Sequence, residues 1–162
     1  MKLNNLKDLM IHELQDILNA EKQITKALPK MIEASASSKL KDAFKTHLKQ
    51  TEKHIERLET VCKMVGVEAK GEKCKAMEGI IKECDSMMNE KADKSVMDAA
   101  LIGCAQRVEH YEIAAYGTIC TYAKQLGMND VLDQLLMTLD EEKKTDSLLT
   151  QIAESTVNID AE

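Results

Sequence analysis

The chain has 162 residues, a formal net charge of -6 and only 2% aromatic residues. That length is enough for one domain with a proper core, and an acidic chain without basic clusters argues against a nucleic-acid partner. One Pro, six Gly and a dominance of Leu, Ala, Lys, Glu and Met disfavour a β-sandwich and favour an all-α bundle.

The N-terminus, MKLNNLKDLM, lacks the apolar run of a signal peptide, and no stretch is long and apolar enough to span a membrane. The expectation is a soluble cytoplasmic protein with no membrane partner. The first helix is predicted over 5–34, with Pro29 kinking it or loosening its last turn. Ser37 or Ser38 can cap a second helix over 39–65, which Gly66 stops. Residues 66–94 form a long connection with its own short helix over 73–89, whose apolar side is Met77, Ile80, Ile81, Cys84, Met87 and Met88. A third long helix spans 95–126 and ends at Gly127; Asn129 caps the fourth, which reaches 154. The single domain then covers 1–154, and 155–162 reads as a polar, frayed tail.

Long helices joined by short turns make two antiparallel hairpins. A helix of about 28 residues measures about 42 Å, and the 66–94 segment can run that length back. The pattern is a ferritin-like four-helix bundle with a short fifth helix in the crossover between helices two and three.

Three seams of this bundle carry carboxylates where apolar residues belong. The first runs Met10, Leu14, Ile17, Glu21, Ile24, Leu28; another runs Leu101, Ala105, Val108, Glu112, Ala115, Ile119, with Glu109 one turn away. The last runs Leu132, Leu135, Leu139, Glu142, Asp146, Leu149, Ala153. Buried carboxylates are costly unless neutralised or paired. In an antiparallel hairpin, residues equally far from the turn face one another. Glu21 then lies opposite the region of Glu52 and His54, and Glu112 opposite the span between Glu142 and Asp146. The crossover brings both levels together, so Glu21, His54, Glu109, Glu112, Glu142 and Asp146 are the candidate metal ligands. Carboxylates with an imidazole suit iron or manganese, in a possible two-metal site without an organic cofactor.

Each residue also has a plainer reading. Glu21 can be a seam-edge residue, Glu142 part of the charge run Asp140–Lys144, Asp146 a partner of Lys143, and His54 a satisfied core histidine. His47 lies two turns from His54, about 10 Å along the axis, and is read as structural. His12 and His110 read as surface residues. The five cysteines (Cys62, Cys74, Cys84, Cys104 and Cys120) are odd in number and form no C-x-x-C pair, so a disulfide framework or zinc site is not expected. Cys62, Cys104 and Cys120 read as packed apolar residues, and a redox role for Cys74 or Cys84 is the minority reading.

Several blocks are similar to the YciE/YciF-type stress-protein family: Ala20-Glu21-Lys22-Gln23, Ala27-Leu28-Pro29-Lys30-Met31, Asp98-Ala99-Ala100-Leu101-Ile102, Leu139-Asp140-Glu141-Glu142-Lys143 and, most distinctively, Val108 to Thr118. The resemblance runs from about Leu6 to Ala153. It implies a ferritin-like bundle related to rubrerythrin, usually a homodimer. The rubrerythrin-type pattern is Glu on the first helix, Glu-x-x-His on the second, Glu-x-x-Glu on the third and Glu-x-x-His on the fourth. Glu21, His54, Glu109, Glu112 and Glu142 match it; Thr51 and Thr145 stand at two ligand places, with Glu52 and Asp146 beside them. One functional expectation is therefore a metal-binding bundle that oxidises Fe(II) with oxygen or peroxide under stress, with Tyr111 and Tyr116 nearby. The alternative is a non-enzymatic dimeric protein-interaction module, its carboxylates satisfied by Lys22, Lys26, Arg57, Arg107 or water and its Met-rich crossover helix offering a contact surface.

Overall fold

The computed structural model describes residues 2–162 and contains helices and loops, with no strand among the described residues. Helix α1 spans Leu6–Ala34, α2 Ser38–Val65, α3 Lys75–Met88, α4 Lys94–Gln125 and α5 Asn129–Ile152. Helix α1 is unbroken through Pro29. Ser37 caps α2 by accepting from Leu40 N, whereas Asn129 is the first residue of α5 rather than its cap. Gly66 and Gly127 end their helices at φ 79° and 67°, a region only glycine enters cheaply.

α1 packs on α2 and α4, and α5 packs on the same two helices, which closes a four-helix bundle. The crossover fixes its polarity. Asp98, near the start of α4, accepts hydrogen bonds from Ala36 N (2.8 Å) and Ser37 N (2.7 Å) in the α1–α2 turn. α4 therefore starts beside that turn and descends antiparallel to α1. Asp98→Ala leaves both turn amides without this acceptor; we expect a loss of about 2 to 4 kcal/mol in urea denaturation.

The returning segment lies on α1. A Cβ on Gly71 would stand 2.7 Å from Gln15 Cβ and 2.9 Å from Gln15 O, so only glycine fits there. Helix α3 then packs against α1 and α4, with Met77 and Cys84 buried and Ile80, Ile81 and Met88 against the core. Of its expected apolar side only Met87 stands exposed, so α3 does not present the Met-rich contact surface expected from its sequence.

The expected frayed tail is also corrected. After Ile152 the chain continues as a π-helical turn, Ala153–Val157, followed by α6, Asn158–Asp160. Val157 is buried against the bundle, an apolar anchor that a reading of the tail as polar passed over. Among the described residues, no helix is long and apolar enough to cross a membrane.

Candidate metal centre

Five of the six residues singled out from sequence meet at mid-bundle. Glu21 (α1), His54 (α2), Glu112 (α4) and Glu142 (α5) are 0% exposed, and Glu109 is 1% exposed. A sixth residue joins them. His47 is buried, with Nε2 3.1 Å from Glu109 Oε1. The ligand atoms form two groups: His47, Glu109, Glu112 and Glu142; and Glu21, His54 and Glu142. Within each group one atom per residue lies within 4.8 Å of the others, and Glu142 belongs to both.

The site is thus elongated along the bundle axis. His47, read from sequence as structural, sits in the first of these groups and His54 in the second.

The contacts are close but not aligned as hydrogen bonds. His54 Nδ1 lies 2.9 Å from Glu142 Oε1 and 3.5 Å from Glu21 Oε1, yet it makes no hydrogen bond. The same holds for both nitrogens of His47, both oxygens of Glu112 and of Glu142, and one oxygen each of Glu21 and Glu109. Every unpartnered buried side-chain atom among the described residues lies in these six side chains. Native interiors leave few such atoms, and here they converge.

Neighbouring groups orient the cluster. His54 Nε2 bonds Glu141 Oε2 at 2.8 Å, and Arg57 holds the same oxygen at 3.0 Å. A carboxylate on one imidazole nitrogen directs the other, Nδ1, at Glu21 and Glu142. The Tyr116 hydroxyl donates to Glu21 Oε1 from a fully buried position. Tyr111 is engaged elsewhere, donating to Asp16 Oδ2 at 2.7 Å.

Asp146 is not in the cluster. It accepts from His110 Nε2 at 3.1 Å and is partly exposed. The inward position on that turn of α5 belongs to Thr145. Glu52 is exposed and cannot stand in for the carboxylate absent at Thr51. Thr51 and Thr145 are buried and donate to the carbonyls of His47 and Glu141 on their own helices. Arg57 stops at Glu141, Lys22 pairs with Glu59, and Lys26 and Arg107 are exposed. None of the four cations neutralises the buried carboxylates.

Titration follows from this crowding. Burial, then repulsion from Glu142, pushes Glu109 and Glu112 well above the usual carboxylate range. Burial raises Glu21 as well. Burial disfavours charge on His54, but Glu142 and Glu21 outweigh it and lift His54 to about 10. Burial would raise Glu142 too, but His54 beside it holds it below its ordinary value. His47 is lowered, chiefly by burial. Burial and crowding thus favour the protonated forms of Glu21, Glu109 and Glu112.

Residues 5–162 match the family described as "Domain of unknown function (DUF892)". The chain is 45% identical over 163 residues to Protein YciF of Escherichia coli (strain K12), covering all of this chain and 98% of that protein. The crystal structure of the E. coli stress protein YciF superposes with a TM-score of 0.92, covering 96% of this chain and 98% of that one. YcfI from Rhodopseudomonas palustris is 46% identical, with a TM-score of 0.91 over 94% of this chain and 97% of that one. A protein from Xanthomonas campestris, 19% identical, shares the fold at a TM-score of 0.73, over 94% of both chains.

Proposed function

Because the chain belongs to the DUF892 family, whose description names no chemistry, we propose from the site itself that it is a metal-binding carboxylate bundle taking iron or manganese. The observation that carries this is the convergence of unpartnered buried oxygens and nitrogens from six residues on four helices. Four carboxylates and two imidazoles fit two divalent cations: the donor set is hard to borderline, and Glu142, common to both groups, would serve both cations. His47 takes the place of the carboxylate missing at Thr51.

A bound iron or manganese pair supplies redox chemistry toward dioxygen or peroxide. The chain's own residues do the rest. Glu141 and Arg57 hold His54 in the tautomer that presents Nδ1. Tyr116 fixes one oxygen of Glu21, and the packed seams exclude bulk water. In this reading the role is protection under stress, which accords with the relative described as a stress protein. The test is metal analysis with Fe(II) oxidation followed optically. Two equivalents bound per chain, with oxidation lost in His54→Ala and in Glu142→Ala, support it. A protein that takes no Fe(II) or Mn(II) refutes it.

The dimer inferred from the resemblance is part of this proposal. Leu136, Met137 and Leu148 stand exposed on α5, so the covered face is expected there rather than on α3. Sedimentation at micromolar concentration should give about twice 18.1 kDa, and a monomer across that range rejects the dimer.

A further inference from the structure

A small cavity of about 20 Å³ lies between α1, α3 and α4, with His47 and Glu109 in its wall. It has room for one molecule of about the size of water. Its remaining lining is apolar or sulfur-bearing and includes Ile24, Leu28, Cys84 and Cys104; the half-exposed Asp85 and Met88 mark its outer side. Two of the five cysteines thus face one cavity from two packed helices, Cys84 on α3 and Cys104 on α4. Cys62, Cys74 and Cys120 are also buried but do not line it.

We propose that Cys84 and Cys104 form a peroxide-oxidisable dithiol in the wall of this cavity, and that its oxidation ties α3 to α4 through a disulfide. The proposal does not depend on the metal reading. The Cys104 thiolate attacks hydrogen peroxide, breaking the O–O bond to give a sulfenic acid and hydroxide. The Cys84 thiol then attacks the sulfenic sulfur; the S–O bond breaks and the departing hydroxyl takes the thiol proton to leave as water, while the proton that Cys104 released on ionising neutralises the first hydroxide. The two sulfurs lose two electrons, and one peroxide becomes two waters. The order of attack follows from the pair's electrostatics. Hydrogen bonding from Cys84 holds Cys104 down, to about 7, with the Arg107 guanidinium adding to the effect. The same interaction pushes Cys84 up, so it stays a protonated thiol. Peroxide is small and polar enough to enter this water-sized cavity, where His47 and Glu109 supply polar groups in an otherwise largely apolar lining.

The test uses the full chain in chelator, so that metal chemistry takes no part. After hydrogen peroxide, a non-reducing tryptic digest should yield peptide 83–91 joined to peptide 95–107, with two of five thiols lost and dithiothreitol restoring both. In Cys84→Ser, Cys104 should be trapped as a sulfenic acid by dimedone; in Cys104→Ser, Cys84 should stay reduced. Circular dichroism checks that both variants fold, and the wild-type digest stands without them. Persistence of all five thiols overturns the proposal. So does equal oxidation of Cys62, Cys74 and Cys120, or conversion of Cys104 to sulfinic acid without the joined peptides.

Discussion

Fe(II) or Mn(II) is expected to raise the thermal midpoint of the wild-type protein, and Glu112→Ala is expected to abolish that rise. A cation that binds only the folded chain stabilises it by about 2.7 kcal/mol at a hundredfold excess over Kd. In a domain of this size that corresponds to roughly 5 to 10 °C. Glu112 is the choice because it is fully buried and neither of its oxygens has a partner, so its removal takes away ligands and little else. The metal-free protein should respond in the opposite direction. Glu112→Gln keeps the shape and removes a carboxylate that the cluster can hold only at an energetic cost; we expect a gain of about 1 to 3 kcal/mol. Differential scanning fluorimetry with and without metal reads both effects. If the carboxylates are purely structural, both substitutions destabilise and metal changes nothing.

The bundle was readable because its seams are long and periodic. Met10, Leu14, Ile17, Ile24 and Leu28 recur on one face of α1 and are buried there. The crossover followed from segment length alone, whereas the Asp98 contacts that lock it depend on a pairing across 62 residues that no local pattern announces. In the candidate site, the carboxylates in the seams betrayed themselves by interrupting apolar rows. His47 stood on the same α2 face as His54 and was set aside for its axial distance from it, yet the structure buries it against Glu109. The usable signal was the spacing itself: two histidines seven residues apart on a face opposite a shared Glu142. Glu141 lay hidden in a charge run. Asp146 was assigned inward as the fourth residue after Glu142, a place the 3.6-residue period leaves open between 145 and 146; the buried row Leu135, Thr138, Glu142, Thr145, Leu149 gives it to Thr145.

The metal-free and metal-bound proteins should respond to pH with opposite sign. His54 keeps its proton up to about 10 in the folded chain, against 6.5 for a free imidazole, so its contribution is complete below 6.5 and is lost as pH rises toward 10. Glu21, Glu109 and Glu112, all raised from 4.5, act in the same direction: folded, they hold protons that the unfolded chain has released. His47, Glu141 and Glu142 are lowered, so their contributions are in place above 6.5 and 4.5 and are lost only on acidification. Between pH 6.5 and 8.5 the raised groups therefore set the slope. Each proton held only by the folded chain removes about 1.4 kcal/mol per pH unit. His54 alone should lower metal-free stability by roughly 2 to 3 kcal/mol over that interval, and the midpoint with it, with the raised carboxyls acting in the same direction. Metal binding displaces those same protons, so Mn(II) affinity rises with pH, and the separation between bound and free midpoints should widen from pH 6.5 to 8.5. Urea denaturation at fixed Mn(II), repeated across the interval, measures both slopes. A separation that stays constant or narrows means that the buried carboxylates are not the ligands.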